Sequence, residues 1–563
     1  MKSQKQDSFT RGSQVFAHQV RMFVQGCINS FIVGLVLTVI WIIIRSCHKI
    51  TYIGLYYFLI ERYVQVKLLI GQFFYHTSQV SIKFYYLKKQ KWVYCSAENF
   101  ISKFWLNTSY SKQIDGFSKF IIDVIRYEVP IILILGTIAS IIFFIIKGRK
   151  QIATDFIRGG KLVEPQVLAK MLYKAKAASS IKIAGLPLVK DSEGQHILLI
   201  GTTGSGKTNM LNELLPQLRN QGHRAIVVDM TGSFYNRFFD PKHDKLLNPF
   251  SENSVNWLPW NDCDKDFEFD ALSAAFFEGS SLADKYWEEA AQKVFSTCLQ
   301  KEKNNRSIES LISILAKISL GDFCRYFENT FVTGLVAKEA DKTTASVRSM
   351  LLNKVDRLKY LKENGDFSIK KWVNEGAGWL FILAPPNQQD TLRPLISAWI
   401  DIVIKGLMDR SPEAINEKLF VISDELPANQ KIPSLKRGLA EIRKYGGCFI
   451  AGIQNIFQLE EIYGQAGAWS LLDMFNTKFF FKVGDQRTAE YASKTLGEQE
   501  ISETKQSLSY GSNNVRDGVN LNTSERVVPL VLPTEILNLS TRTCYVKLAE
   551  NYPITKLKMK LQV

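Results

Sequence analysis

The feature that most constrains this chain is a glycine-rich segment of eight residues, "GTTGSGKT", at positions 201–208. It satisfies the pattern G-x-x-x-x-G-K-[ST], which requires a buried strand before it and a helix after it. The apolar "HILLI" precedes the segment, and "NMLNELLPQLRNQ", which has helical periodicity, follows it. The segment therefore predicts a strand–loop–helix unit in an α/β domain, with a loop that binds the phosphates of a nucleotide.

The predicted loop assigns a role to each of its residues. Its backbone N–H groups and side chains would bind ATP, and the residues concerned are Gly201, Thr202, Thr203, Gly204, Ser205, Gly206, Lys207 and Thr208. Lys207 would bridge the β- and γ-phosphates, and the Thr208 hydroxyl would ligate Mg²⁺. The alternative, a glycine-rich turn without a ligand, is disfavoured by the strand–loop–helix order.

A second segment, "EKLFVISDEL" at positions 417–426, supplies carboxylates for the same chemistry. Four apolar residues end in polar ones, as expected where a buried parallel strand reaches the carboxyl edge of a sheet. Ligands of open α/β sheets bind at that edge. Asp424 is therefore predicted to hold Mg²⁺, and Glu425 is predicted to polarise the attacking water.

Two further apolar segments have the same form. "RAIVVDM" (224–230) ends near Asp229, and "GCFIAGIQN" (447–455) ends near Gln454. An amide at a strand end beside the γ-phosphate can sense whether the nucleotide is intact, so Gln454 is a candidate catalytic residue. The alternative for Gln454 is an ordinary surface residue at a strand end.

Two long uncharged runs, at about 22–44 and 129–146, precede this domain. Crossing the hydrocarbon core of a bilayer takes about 20 apolar residues in a helix. Both runs meet this requirement and predict a membrane domain at 1–150, with a long loop at 45–128 between the spans. Two spans place both termini on one side, and the need for ATP places that side in the cytoplasm.

Small residues lie four positions apart in each span, Gly34 with Thr38 and Gly136 with Ser140. Such spacing lets helices approach closely in lipid and would suit self-association. The alternative is that these residues are simply common in membrane helices.

The net charge of +16 is concentrated near the start of the chain. Residues 1–150 carry 19 Lys and Arg against 6 Asp and Glu, whereas the other 413 residues are nearly balanced. Anionic membrane lipid is therefore the simplest partner of this charge. The overall pI does not indicate that the remaining domain binds nucleic acid.

The chain between the two nucleotide motifs is longer than a minimal sheet needs. Residues 268–366 have helical patterns, which predicts an all-α domain inserted into an α/β domain at 151–267 and 367–563. Its acidic beginning, "DCDKDFEFD", lacks the glycine and the final glutamate of a calcium loop. It is expected to be a solvated acidic face or a docking surface for a basic partner. Residues 501–526 are polar and predict a surface or pore-lining loop.

Several motifs, in this order, resemble one family across residues 155–560: "HILLIGTTGSGKT", "VVDMTGSF", "VISDELPA" and "IRKYGGCFIAGIQN". The chain resembles the TraD/TrwB-like coupling proteins of type IV secretion and conjugation, P-loop ATPases of the FtsK/HerA type. The resemblance implies a RecA-like fold and a homo-hexameric ring in the bacterial inner membrane. It implies that ATP hydrolysis recruits a relaxase–DNA complex and drives single-stranded DNA towards the secretion channel subunits.

The resemblance also implies roles for individual residues. It assigns catalysis to Lys207, Glu425, Gln454 and Arg443, and metal binding to Thr208 and Asp424. Arg443 matches a candidate arginine finger that a neighbouring subunit would supply. Gln195 stands where some relatives have a basic residue, so a second arginine contact is not expected there. The alternatives for function are a coupling ATPase for protein effectors only, and a chromosomal DNA translocase.

Overall fold

In the computed structural model, the described residues are 2–49, 52–75, 79–104, 108–151, 155–277, 285–411, 417–509 and 518–562. They form two compact units. One comprises Met1–Asp155 with Ser502–Arg526, and the other comprises Phe156–Ile501 with Val527–Val563.

The N-terminal part of the first unit begins with a long helix and ends with another. Its elements are α1 (Lys2–Lys49), α2 (Tyr52–Tyr75), β1 (Ser81–Tyr86), β2 (Lys91–Ser96), α3 (Ala97–Asn99), α4 (Thr108–Asp123) and α5 (Val129–Gln151). Strands β1 and β2 form an antiparallel hairpin. The segment expected as a long loop between two spans is therefore largely folded.

Two stretches of this unit are long and apolar enough to cross a membrane, by length and composition. They are Val20–Arg45 and Ser118–Lys147, and they contain the two runs that the sequence predicts. A Cβ added at Gly34 would lie 2.7 Å from the Thr137 Oγ1 of α5, and one added at Gly136 would lie 3.2 Å from the Gly34 Cα. The close packing that the small residues predict thus occurs between two helices of one chain.

Except for the parts of two strands that lie within Ser502–Arg526 and belong to the first unit, the remaining helices and strands belong to the second unit. Its elements up to the helical region are β3 (Asp155–Gly159), β4 (Leu162–Val163), α6 (Pro165–Lys174), β5 (Ala178–Ile183), β6 (Leu186–Val189), β7 (Ile197–Ile200), α7 (Lys207–Asn220), β8 (Arg224–Asp229), α8 (Ser233–Phe238) and β9 (Lys245–Leu247). The helical region consists of α9 (Asp266–Phe277), α10 (Lys285–Lys301), α11 (Ile308–Ile312), α12 (Leu320–Tyr326), α13 (Asp341–Val355) and α14 (Ile369–Glu375).

The chain then returns to alternating strands and helices. These are β10 (Trp379–Leu383), α15 (Gln389–Met408), β11 (Leu419–Ser423), α16 (Leu435–Glu441), β12 (Gly447–Ile453), α17 (Ile456–Tyr463), α18 (Gln465–Asp473), β13 (Thr477–Phe480), α19 (Gln486–Leu496), β14 (Glu498–Ser509), β15 (Gly518–Pro529), α20 (Pro533–Leu537), β16 (Thr543–Lys547) and β17 (Ile554–Lys558).

A ten-stranded mixed sheet organises this unit, with the order β4-β17-β16-β13-β7-β12-β11-β8-β10-β9. The seven strands from β13 to β9 are mutually parallel, and β16 is antiparallel to β13. Strand β7 shows why: it is buried throughout, with Leu198 and Ile200 in one hydrophobic core and Ile197 and Leu199 in the other. A strand with apolar residues on both faces belongs inside a parallel sheet covered on both sides.

The acidic segment at 262–270 is divided between surface and interior. Asp264, Asp266 and Asp270 are exposed, as expected of a solvated acidic face, whereas Asp262 is buried and Glu268 is half-buried. The buried Asp262 accepts hydrogen bonds from the backbone N–H groups of Ile369 and Lys370 at the start of α14. Glu268 pairs with the Lys370 ammonium at 2.5 Å. These carboxylates fasten the two ends of the helical region together, and this use removes them from a docking surface.

The polar segment at 501–526 also differs from the expected loop. Its described residues lie in β14 and β15, which form a three-stranded sheet of order β15-β14-β3. The sequence predicts a loop here because the segment is rich in polar residues and contains glycine. The two strands are defined by backbone hydrogen bonds, and a hydrophobic pattern in the sequence does not reveal such bonds.

Candidate functional site

Three neighbouring parallel strands end at one edge of the large sheet, and the predicted residues follow them there. The glycine-rich loop follows β7, Asp424 and Glu425 follow β11, and Gln454 follows β12. Because these strands are adjacent in the order β7-β12-β11, their carboxyl ends converge. The loop and the three side chains line a cleft of about 590 Å³.

The loop conformation depends on its glycines. Gly206 has φ of +124°, a conformation that favours glycine, and a Cβ there would lie 2.9 Å from the Arg542 Cα. At Gly201 a Cβ would lie 2.6 Å from the Phe481 Cβ. The glycines therefore allow the loop to pack against β13 and the start of β16 while α7 begins at Lys207.

Lys207 is buried and turned towards the loop itself. Its ammonium donates to the Gly201 carbonyl oxygen at 2.5 Å and to the Thr202 carbonyl oxygen at 3.4 Å. Burial lowers the pKa of Lys207, whereas the nearby Glu425 and Asp424 act against this shift. Two carbonyl oxygens of the loop thus accept the hydrogen bonds that the ammonium would otherwise donate to phosphate oxygens.

Asp424 and Thr208 are already in contact. The Thr208 hydroxyl donates to the Asp424 Oδ2 at 2.9 Å. The other carboxylate oxygen, Oδ1, is buried and has no hydrogen-bond partner within the described residues. Burial raises the pKa of Asp424, opposed by the Thr208 hydrogen bond and by Lys207. A buried carboxylate oxygen with an open coordination position beside a threonine hydroxyl fits a hard divalent cation such as Mg²⁺.

Glu425 lies beside Asp424 and is held by the residue predicted on the next strand. The Gln454 Nε2 donates to the Glu425 Oε2 at 2.9 Å. Burial raises the pKa of Glu425, opposed by this hydrogen bond and by the charge of Lys207. A carboxylate with a raised pKa, fixed by an amide inside a cleft, is suited to accept a proton from water.

Arg443 lies outside the cleft that the other predicted residues share. Arg443 precedes β12, and its side chain is exposed. The side chain lies beside Gly194, where an added Cβ would be 3.0 Å from the Arg443 Cγ. Since β12 runs parallel to β7, Arg443 lies at the amino edge of the sheet, about 20 Å from the loop at the opposite edge. Within one chain Arg443 does not reach the site.

The cleft also contains side chains that the sequence motifs missed. These are Asn209, Thr231, Gln389, Thr541, Arg542 and Leu561. The Arg542 N–H donates to the Ser205 carbonyl oxygen at 2.8 Å, and the Asn209 Nδ2 donates to the Lys560 carbonyl oxygen at 2.9 Å. Thr541, Arg542 and Leu561 lie more than 300 positions beyond the loop and are brought to it by strands β16 and β17, so no local pattern could have indicated these three.

Asp229, at the end of β8, has a structural use. It accepts hydrogen bonds from the backbone N–H groups of Gly232, Phe234 and Tyr235, each at 2.8 Å. Its carboxylate thereby shapes the turn into α8 and places Thr231 in the cleft.

The family described as the type IV secretion-system coupling protein DNA-binding domain matches residues 180–560, which include every residue of this cleft except Leu561. The chain belongs to the coupling protein family. A second family, the F sex factor protein N terminal, matches residues 29–124 of this coupling protein.

Individual relatives agree with this assignment. Coupling protein TraD of Escherichia coli (strain K12) is 34% identical over 443 residues, which are 76% of this chain and 62% of that protein. The solved structure of the bacterial conjugative coupling protein TrwBdeltaN70 is 28% identical, with a TM-score of 0.66, and covers 73% of this chain and 94% of its own. TrwB in complex with ADP and Mg²⁺ is also 28% identical, with a TM-score of 0.64 over 72% of this chain and 94% of its own. The coupling protein therefore has a TrwB-like fold, and it spans about three fifths of the length of TraD.

Proposed function

We propose that the chain is a membrane-anchored ATPase that couples ATP hydrolysis to the movement of single-stranded DNA towards a type IV secretion channel. The observation that carries the proposal is the cleft in which Thr208 contacts Asp424 and Gln454 contacts Glu425, beside the glycine-rich loop. The relative TrwB, in complex with ADP and Mg²⁺, supports the same nucleotide and metal here.

The residues of the cleft divide the chemistry between them. Backbone N–H groups of residues 201–208 and the Lys207 ammonium bind the phosphates, so Lys207 exchanges its contacts with Gly201 and Thr202 for phosphate oxygens. Glu425 accepts a proton from the attacking water, and Gln454 holds the carboxylate in place. Thr208 and Asp424 would hold Mg²⁺, which neutralises phosphate charge when it is bound.

Arg443 acts from a neighbouring copy in this proposal. Its position at the amino edge of the sheet excludes a contact with the phosphates of its own chain. An arginine from an adjacent subunit stabilises the charge that develops on the γ-phosphate, which is worth about 10³–10⁵ in turnover in enzymes that use it. Assembly into a homo-hexameric ring then becomes a condition for turnover.

In this proposal the chain is divided into the domains that the sequence predicts. Residues 1–150 form the membrane domain, 151–267 with 367–563 form a RecA-like domain, and 268–366 form an inserted all-α domain. The two spans place both termini and the ATPase on the cytoplasmic side of the inner membrane. The segment between the spans lies on the other side.

The substrate follows from the family. The matched family is described as a DNA-binding domain, and coupling requires DNA, a relaxase complex, and channel subunits as partners. Residues 151–563 are nearly neutral overall. DNA contacts therefore involve local basic or polar groups and depend on salt concentration.

Turnover by the full-length protein in lipid nanodiscs, titrated with single-stranded and duplex DNA, tests the proposal. We expect hydrolysis to rise severalfold with single-stranded DNA, to depend steeply on protein concentration, and to vanish in Lys207→Ala. Arg443→Ala should bind nucleotide normally and lose turnover.

Mixing the two variants provides a sharper control. Lys207→Ala supplies an intact Arg443, and Arg443→Ala supplies an intact cleft, so mixed rings should recover part of the turnover. Turnover that does not change with single-stranded or duplex DNA would contradict the proposal that DNA is the cargo and would favour protein effectors. Stimulation by duplex alone would favour a chromosomal translocase.

A further inference from the structure

Helix α2 has an apolar face that its own unit does not cover. The exposed residues recur every three or four positions and therefore share one side of the helix. They are Leu59, Tyr63, Val66, Leu69, Ile70, Phe73 and Phe74. Leu69 is 64% exposed and Phe73 is 80% exposed. Among the exposed residues on this side of the helix, Arg62 is the one that carries a charge. A soluble protein rarely leaves such a continuous apolar surface without a partner.

The opposite side of α2 is fixed against the hairpin of β1 and β2. Val64 is fully buried in a small core with Ile82 and Phe84. The Tyr56 hydroxyl donates to the Tyr85 carbonyl oxygen at 2.8 Å and accepts from the Tyr85 N–H at 3.0 Å. These contacts set the rotation of the helix, so its apolar face must point away from the hairpin.

Polar contacts between α1 and Glu128, the residue immediately before α5, mark the boundary of the spans. Arg45 pairs with Glu128 at 3.3 Å, and the Trp41 Nε1 donates to Glu128 at 2.8 Å. Tryptophan and arginine are typical of the membrane–water interface. Helix α1 continues only from Arg45 to Lys49, a rise of about 6 Å, which is close to the thickness of the headgroup layer. Helix α2 begins at Tyr52, so it starts at the membrane surface.

We propose that α2 lies along the bilayer surface, with its apolar face inserted among the lipids of the membrane that the two spans cross. The inference rests on the membrane placement proposed above. Glu61, Arg62 and Lys67 in the middle of the helix, together with the hairpin on one side, exclude a third span. One apolar face and one protein-bound face are what an interfacial helix requires. One candidate span precedes α2 in the chain and the other follows it, which keeps α2 close to the bilayer.

A label on the apolar face tests this placement in the full-length protein reconstituted into phospholipid vesicles. Val66→Cys carries an environment-sensitive NBD probe in a background where Cys27, Cys47 and Cys95 are serine, because the other five thiols are buried. The matched control is Lys83→Cys, on the outer face of the same hairpin. We expect blue-shifted emission at position 66, and at least threefold stronger quenching by nitroxide-labelled lipid there than at position 83.

Two other results would overturn the inference. Equal quenching of both positions by iodide, present on both sides of the vesicles, would place the face in water. Protection of position 66 from lipid nitroxide and iodide alike would mean that protein covers it, and dilution with unlabelled chain would then show whether a second copy does so. Ile70→Cys repeats the measurement if Val66→Cys misfolds.

Extraction of the vesicles with alkaline carbonate separates this inference from the proposed function. A chain that leaves the vesicles contradicts the membrane anchoring itself. A chain that stays, with position 66 exposed to water, contradicts only the placement of α2.

Discussion

The large sheet and the pair of candidate spans distribute polarity in opposite ways. In the sheet, apolar strands such as β11 and β12 are buried throughout, and polar side chains gather at one edge. Between α1 and α5 it is small polar residues that are buried, with Ser30 1% exposed and its Oγ 3.4 Å from the Ser140 Oγ. Apolar residues face outward there, with Ile131 and Phe143 each 58% exposed.

The difference teaches which solvent each region is built for. Water drives apolar side chains together, so the sheet needs two hydrophobic cores. Lipid offers no such force, so helices associate through close packing of small residues and a few hydrogen bonds. A substitution at the polar edge of the sheet should therefore act through charge and protonation, whereas one between the two spans should act through the shape of the side chain.

The largest expected effect is at the polar edge of the sheet. Glu425→Gln keeps the size of the side chain and removes the proposed proton acceptor, so turnover at saturating ATP and Mg²⁺ should fall by about 10²–10⁴. Nucleotide affinity, measured with a fluorescent ATP analogue, should stay within about threefold because the phosphate contacts do not involve this group.

Glu461→Gln is the matched control, since Glu461 is exposed on α17, away from the cleft. Its turnover should equal that of the unmodified protein. Normal turnover by Glu425→Gln would show that another group activates water and that convergence at the strand ends has a different purpose.

The next effect concerns the opposite edge of the same sheet. His196 is buried, its Nδ1 accepts from the Phe449 N–H at 3.0 Å, and its Nε2 donates to the Leu439 carbonyl oxygen at 2.8 Å. Burial, assisted by Arg443, lowers the pKa of His196 to about 4 from 6.5. A depressed histidine pKa stabilises the fold above pH 6.5, and this stability is lost as the pH falls from 6.5 towards 4.

Between pH 7 and pH 5 this group should cost about 2 kcal/mol of unfolding free energy. The full-length protein in detergent should therefore lose thermal stability over this range, and His196→Gln should lose less. The difference between the two proteins isolates His196, because carboxylates that titrate nearby are common to both. Equal losses of thermal stability would mean that the folded protein accommodates a protonated imidazole, so that the pKa of His196 is not lowered.

The third effect tests shape in the candidate spans. Gly34→Ile places a side chain against Thr137 and the Leu133 carbonyl oxygen, and overpacking of this kind costs about 1–3 kcal/mol. In a chain with Ser30→Cys and Ser140→Cys, and with Cys27 replaced by serine, oxidation should link the two helices. Gly34→Ile should slow that reaction about tenfold, in line with this cost.

Gly26→Ile is the matched control, because a Cβ at Gly26 meets no atom within 4 Å. It should leave the rate of cross-linking unchanged. Equal rates in all three proteins would show that the helices do not depend on contact at Gly34, and would remove one side of the comparison.

The sequence predicted the strand ends of the site because the information there is local. An apolar strand followed by a glycine-rich loop, or by Asp424 and Glu425, carries both the element and the chemistry in about ten residues. The spacing of Gly34 and Gly136 likewise predicted close packing. It could not name the partner, since the same spacing suits contacts within one chain or between two.

The unpredicted features depend on contacts between distant segments. The carboxylate of Asp262 looks solvated in sequence, yet it meets α14 more than 100 residues later. Strands β14 and β15 have no hydrophobic period, so only their pairing reveals them. Arg542 enters the cleft because β16 and β17 place the end of the sheet beside the loop, and nothing near it in sequence resembles a nucleotide motif.

Arg542 gives the smallest expected effect and the sharpest test of how the cleft is completed. It is a cation that lines the cleft, next to the loop proposed to bind phosphate, and its backbone N–H donates to the Ser205 carbonyl oxygen. Arg542→Ala removes the guanidinium and leaves the backbone contact, so the KM for ATP should rise about fivefold to tenfold, as expected for the loss of one hydrogen bond of about 1 kcal/mol at a half-buried position. Arg542→Lys should restore part of the affinity, since a positive charge remains. An unchanged KM with a collapse of kcat would instead place Arg542 on the transition state, and the site would then use a cation of its own chain in addition to Arg443 from a neighbour.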